Sequence, residues 1–84
     1  MELPIPAWFK YRQGEAKPAG DHTYQLTAPL VDPTWIRIRP HDGAWQAAIA
    51  SAADGPDLMA SGTVPTEHDA WEEAFEMYRV VKIC

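Results

Sequence analysis

Trp35, Arg37 and Arg39 occupy alternate positions in the stretch "TWIRIR" and are the first candidates for a binding surface. Alternate side chains of a β-strand point to the same face, so these three residues share one side while Ile36 and Ile38 point to the other. A tryptophan beside two guanidinium groups can anchor a protein partner or stack on nucleic-acid bases. We call these three residues the sheet-face row. Two interpretations stay open: the arginines only solvate an exposed face of the sheet while the aromatic residues cover the core, or the row is a docking face, for which we predict a protein partner.

A second group of aromatic and basic side chains lies in the stretch "AWFKYR" near the N-terminus. Trp8, Tyr11 and Arg12 would extend the sheet-face row if this segment ran along the edge of the sheet. Binding of nucleic acid by both groups is an alternative interpretation. It is less favoured, because contacts from lysine and arginine to phosphates dominate such affinity and the chain carries a net charge of −5.

The acidic side chains are concentrated in the second half of the chain. Residues 1–41 carry five basic and four acidic side chains, whereas residues 42–84 carry two basic and eight acidic ones. Glu72, Glu73 and Glu76 lie opposite the apolar stripe of a predicted helix. A further alternative is therefore an acidic protein that mimics nucleic acid or inhibits a basic partner through this helix.

Neither catalysis nor metal binding is predicted. The three histidines each have an aspartate neighbour, in Asp21-His22, His41-Asp42 and His68-Asp69. None of these pairs has a metal-site spacing such as C-x-x-C or H-x-x-x-H, and sequence neighbours are not expected to converge on one ion. Ser51, Ser61 and Cys84 lie in no recognisable catalytic motif, and no glycine-rich phosphate loop is present. We expect a non-enzymatic protein with no metal and no cofactor.

The elements that must position these residues follow from the hydrophobic spacing. Alternation in "HTYQLTA", in Thr34–Arg39, in Ala44–Ala52 and in Leu58–Val64 predicts strands, and "PHDG" predicts a tight hairpin turn. Thr66 is a suitable cap for the amphipathic helix that "TEHDAWEEAFEMYRVV" predicts. The expected fold is α+β, a three- to four-stranded antiparallel meander with one C-terminal helix packed on one face (ββββα). Leu58 and Ala60 are predicted to point toward that helix and Met59 away from it.

One domain over residues 1–84 is expected from the chain length. Prolines and glycines in residues 1–21 predict an extended N-terminal arm, with a short edge strand at Trp8–Arg12. Residues 22–64 form the predicted sheet and residues 66–82 the predicted helix, while residues 80–84 could be either helix or strand. The lone Cys84, the absence of a signal peptide and the absence of a long apolar run favour a soluble cytoplasmic protein that does not bind membranes.

From Trp35 onward, the chain resembles in outline several small modules built from a sheet and one helix. The order of three strands and a helix, with "GAWQAAI" and "TEHDAWEEAFEMYR", is similar to HicB-like antitoxins, to arm-type domains of phage integrases and to the plant ethylene-response DNA-binding domain. The resemblance implies a bacterial or phage accessory protein. The DNA-reading members carry several basic residues on the sheet, whereas these strands offer only Arg37 and Arg39, so no functional residue is transferred.

The function predicted from the sequence is therefore that of a small protein-interaction module. Its simplest form is a two-fold homodimer made through the open face of the sheet.

Overall fold

Five antiparallel strands form one sheet in the order β1-β2-β3-β4-β5, so that each strand pairs with its neighbours in sequence. The computed structural model describes residues 3–83. Its elements are α1 (Ala7–Tyr11), β1 (Glu15–Gly20), β2 (Thr23–Ala28), β3 (Val31–His41), β4 (Ala44–Ala50), β5 (Asp57–Ala60) and α2 (Glu67–Tyr78), followed by a π-helical turn at Arg79–Ile83. The predicted α+β fold is confirmed, with more strands than expected.

The hydrophobic core lies between one face of the sheet and α2. Ile36 pairs with Tyr24 on β2 and with Ile49 on β4, which places these three side chains on the same face. Tyr24 meets Trp71 of α2 edge to face, with ring centroids 5.3 Å apart. The buried cluster comprises Phe9, Leu26, Ile36, Ile38, Ala47, Ile49, Ala70, Trp71, Ala74, Phe75, Met77 and Tyr78.

Two local signals in the sequence act as predicted. The Thr66 hydroxyl oxygen accepts a hydrogen bond from the backbone N–H of Asp69 at 3.0 Å, which caps the first turn of α2. In the turn between β3 and β4, Asp42 and Gly43 have φ values of 51° and 76°, as a tight hairpin turn requires. At the other end of α2, the chain continues as a π-helical turn through residue 83, and Cys84 lies outside the described residues.

Residues 1–21 were predicted as an extended arm with a short edge strand at Trp8–Arg12, but the structure has a helix at Ala7–Tyr11 and places the edge strand at Glu15–Gly20. Ala7–Tyr11 is helical because Phe9 inserts its ring between Phe75 and Tyr78, with centroids 5.4 and 5.6 Å away. The segment after it pairs with β2 as an edge strand. An edge strand tolerates Pro18, which lacks a backbone N–H, because one side of the strand has no partner.

The side chains of β5 point to the opposite faces of the sheet from those predicted. Met59 pairs with Ile49 and Ala60 pairs with Ala48, so Met59 lies on the helix side of the sheet and Ala60 on the other. A register shift between Ile49 and Ala50 accompanies this change. Beyond β5, Val64 forms an isolated bridge with Trp45 and leads the chain across to α2.

Two candidate interaction surfaces

The sheet-face row lies on β3 and faces away from α2. Its neighbours Ile36 and Ile38 are buried in the core, whereas Trp35, Arg37 and Arg39 are only partly buried on the opposite face. The alternation in the sequence therefore places these three side chains together, as expected.

The guanidinium group of Arg37 is engaged within the molecule. Its Nε donates to Oδ1 of Asp57 at 3.2 Å, its Nη1 to the carbonyl oxygen of Ala53 at 3.3 Å, and its Nη2 to the carbonyl oxygen of Gly55 at 2.6 Å. These three acceptors belong to the connection between β4 and β5 and to the start of β5. Arg37 thus holds that connection against the sheet.

Arg39 binds the same carboxylate from the other side. Its Nη2 donates to Oδ2 of Asp57 at 2.9 Å, and its Nε donates to Oε1 of Gln46 at 2.9 Å. The amide of Gln46 in turn donates to the carbonyl oxygen of Ser61 at 2.9 Å. We call this set of contacts among β3, β4 and β5 the arginine network. Asp57 and Gln46 were not among the residues singled out from the sequence, because no local spacing links them to the arginines.

The arginine network covers part of the face that was expected to be open. Ala48 pairs with Arg37 and Ala50 pairs with Trp35, yet these two alanines are only 1% and 0% exposed. Their small side chains leave room for the Arg37 side chain to reach across β4 to Asp57. Trp35 remains half-buried beside this network.

The N-terminal candidates do not join the sheet-face row. Trp8 stacks on Tyr78 of α2 with centroids 6.3 Å apart, so α1 lies on the helix side of the sheet. Tyr11 is 91% exposed and Arg12 is also exposed. Trp8, Tyr11 and Arg12 are therefore separated from the sheet-face row by the sheet itself.

A groove on the helix side brings together residues from three separate segments. Its volume is about 670 Å³. Its carboxylates all come from α2, namely Asp69, Glu72, Glu73 and Glu76, whereas its apolar lining comes from two other segments and one residue of α2, namely Pro4, Ile5, Pro6, Trp8, Val64, Pro65 and Phe75. We call this feature the acidic groove. It contains all three glutamates of the predicted acidic face and also Trp8.

The carboxylates of the acidic groove differ in their partners. Oε1 of Glu72 lies 3.2 Å from Nδ1 of His68. Arg79 binds Glu76, and this hydrogen bond lowers the pKa of the Glu76 carboxyl below its ordinary value. Within residues 3–83, Asp69 and Glu73 have no basic side chain at ion-pair distance. The wall of the groove therefore carries excess negative charge.

Within residues 3–83, His68, Asp69 and Glu72 form a group of potential metal ligands at the start of α2. Their ligand atoms lie within 4.8 Å of one another. The side chains of sequence neighbours were not expected to converge, but those of His68 and Asp69 do, and the helix adds Glu72 one turn later on the same face. His68 and Glu72 are exposed, and their contact is an ordinary pair between successive helical turns. The helical repeat accounts for this grouping.

Comparison of the chain with models of protein families, with curated proteins and with solved structures finds no match. In residues 3–83, no helix is both long enough and apolar enough to cross a membrane.

Proposed function

We propose that this chain is a small non-enzymatic protein-interaction module that binds a basic surface of another protein through the acidic groove. The observation that carries this proposal is the position of the four carboxylates of α2 beside an apolar surface made by Ile5, Trp8 and Pro65. Apolar contact area provides affinity at protein interfaces, and complementary charge provides specificity and faster association.

The sheet-face row is the weaker candidate for the contact surface. Arg37 and Arg39 already donate hydrogen bonds to Asp57 and to other acceptors of this chain. A partner protein or a nucleic-acid phosphate would have to replace these intramolecular bonds, and that exchange yields little net free energy. Within the sheet-face row, self-association would therefore depend mainly on Trp35.

Capture of partners from a lysate of the source organism tests the proposal when two charge variants are compared with the wild-type chain. The rim variant carries Glu72→Gln, Glu73→Gln and Glu76→Gln. The control variant removes three exposed carboxylates elsewhere, with Glu15→Gln, Asp32→Asn and Asp54→Asn. Carbodiimide crosslinking, which joins carboxylates to lysines, then locates the contact by mass spectrometry.

We expect the wild type and the control variant to capture the same proteins, and the rim variant to lose them. Crosslinks should join lysines of the partner to Glu72, Glu73 or Glu76. The proposal is abandoned if the rim variant captures the same proteins in the same amounts, or if the crosslinks lie on residues outside the acidic groove.

A further inference from the structure

We infer that the acidic groove binds an extended segment of the partner in which one apolar side chain stands between two basic ones. This inference rests on the proposed function and specifies the partner's contact sequence.

The acidic wall of the groove is the part of α2 that bears its four carboxylates, and its length sets the length of the bound segment. Asp69 and Glu76 lie at the two ends of the wall. At a rise of about 1.5 Å per residue, this part of α2 is roughly 10 Å long. An extended chain advances about 3.3 Å per residue, so about three residues of an extended partner fit along the wall.

The spacing of the carboxylates favours basic side chains at alternate positions. Carboxylates four residues apart on α2, such as Asp69 and Glu73, are separated by about 6 Å along the axis, and these two have no basic partner within residues 3–83. Side chains at alternate positions of an extended chain point the same way and are about 6.6 Å apart. Two basic side chains can therefore reach two successive turns, and long flexible side chains absorb the small mismatch.

The side chain between them then points to the apolar part of the groove, toward Ile5, Trp8 and Pro65. A segment that was apolar throughout would remove water from Asp69 and Glu73 without supplying an opposite charge, which is unfavourable. A segment that was basic throughout would leave the apolar part of the groove in contact with water. The order basic, apolar, basic satisfies both parts of the groove.

Three synthetic peptides separate this pattern from general attraction between charges. The probes are Gly-Ser-Lys-Leu-Lys-Ser-Gly, Gly-Ser-Lys-Ser-Lys-Ser-Gly and Gly-Ser-Leu-Lys-Lys-Ser-Gly, which carry equal charge. The second lacks the apolar side chain, and the third has the composition of the first in another order. Titration of the isotope-labelled chain, followed by NMR, gives each dissociation constant and identifies the residues that respond.

We expect the first peptide to bind about tenfold more tightly than the other two, since partial burial of one leucine side chain is worth roughly this factor. When the first peptide binds, the NMR signals that shift should be those of residues in α2 and of the indole N–H of Trp8. Binding should weaken at high salt and in the rim variant, and should be unchanged in the control variant.

Equal binding of all three peptides would overturn the inferred pattern, and the proposed function would stand if the rim variant weakened each of them. No binding of any peptide would also overturn the inference, and the lysate experiment would then decide the proposed function separately. Binding of the first peptide that is equally tight in the rim variant would place it outside the acidic groove and reject the inference.

Discussion

Gly14 shows how one residue fixes the position of α1. Its backbone N–H donates to the carbonyl oxygen of Phe9 at 2.9 Å, which closes the end of the helix. A β-carbon at Gly14 would lie 2.4 Å from the Phe9 ring. We expect Gly14→Ala to lower the free energy of unfolding by about 1–3 kcal/mol, because an overpacked core must shift. Urea denaturation measures this change.

Gly62→Ala is the matched control, because no atom beyond its own chain neighbours lies within 4 Å of the added β-carbon. A Gly14→Ala protein as stable as the Gly62→Ala protein would contradict the close packing of Phe9 against the end of α1.

Tyr78 is a buried side chain whose hydroxyl has no hydrogen-bond partner among the described residues. Burial raises the pKa of this hydroxyl above its ordinary value, and nearby Arg12 opposes the shift more weakly. Between the unfolded and folded pKa values, the unfolded chain has lost the proton while the folded chain keeps it. The free energy of unfolding should therefore fall as the pH rises above about 10.

Tyr78→Phe tests this residue at both neutral and alkaline pH. At pH 7 we expect unchanged or greater stability, by up to about 1 kcal/mol, because the variant no longer buries an unpaired hydroxyl. At alkaline pH the variant should lose less stability than the wild type. Denaturation curves recorded at several pH values provide the comparison, and a clear loss of stability at pH 7 would show that the hydroxyl has a partner.

At the scale of elements, the arginine network determines how firmly β5 is held. Asp57 receives both Arg37 and Arg39, and its removal leaves two partly buried cations without their shared partner. We expect Asp57→Ala to lower the free energy of unfolding by about 1–2 kcal/mol. Hydrogen exchange should accelerate in β5 and in residues 51–56 more than in β2 and β3.

Asp54→Ala provides the control, since Asp54 is exposed in the same connection and makes no ion pair among the described residues. Equal exchange rates in the two variants would mean that the edge strand does not depend on the arginine network.

Elements with local signals were predictable from the sequence, and elements that depend on distant contacts were not. Thr66 marks the start of α2 because a cap acts within one turn. The helix α1 has no such signal. Its form depends on Phe9 packing against α2, and Gln13 ends it with a φ of 58°, a conformation usually taken by glycine. The faces to which the β5 side chains point were predicted wrongly, because a one-residue register shift exchanges the two faces of a strand.

The same distinction applies to the candidate surfaces. Strand alternation correctly grouped Trp35, Arg37 and Arg39, but Asp57, the partner of both arginines, comes from a later strand. The glutamates of α2 were identified by helical spacing. Apart from Phe75, the apolar residues of the acidic groove come from residues 4–8 and 64–65, which only the folded chain brings beside α2.

At the scale of the whole molecule, the arrangement of the sheet-face row favours a single chain in solution. A stable dimer generally buries about 800 Å² on each partner. On this face Ala48 and Ala50 are already covered and both arginines are engaged, so Trp35 is the member of the sheet-face row left to contribute apolar area. We expect light scattering at high protein concentration to give the mass of one chain, 9.4 kDa. A mass twice as large that falls to 9.4 kDa in Trp35→Gln would instead establish a homodimer through the sheet-face row.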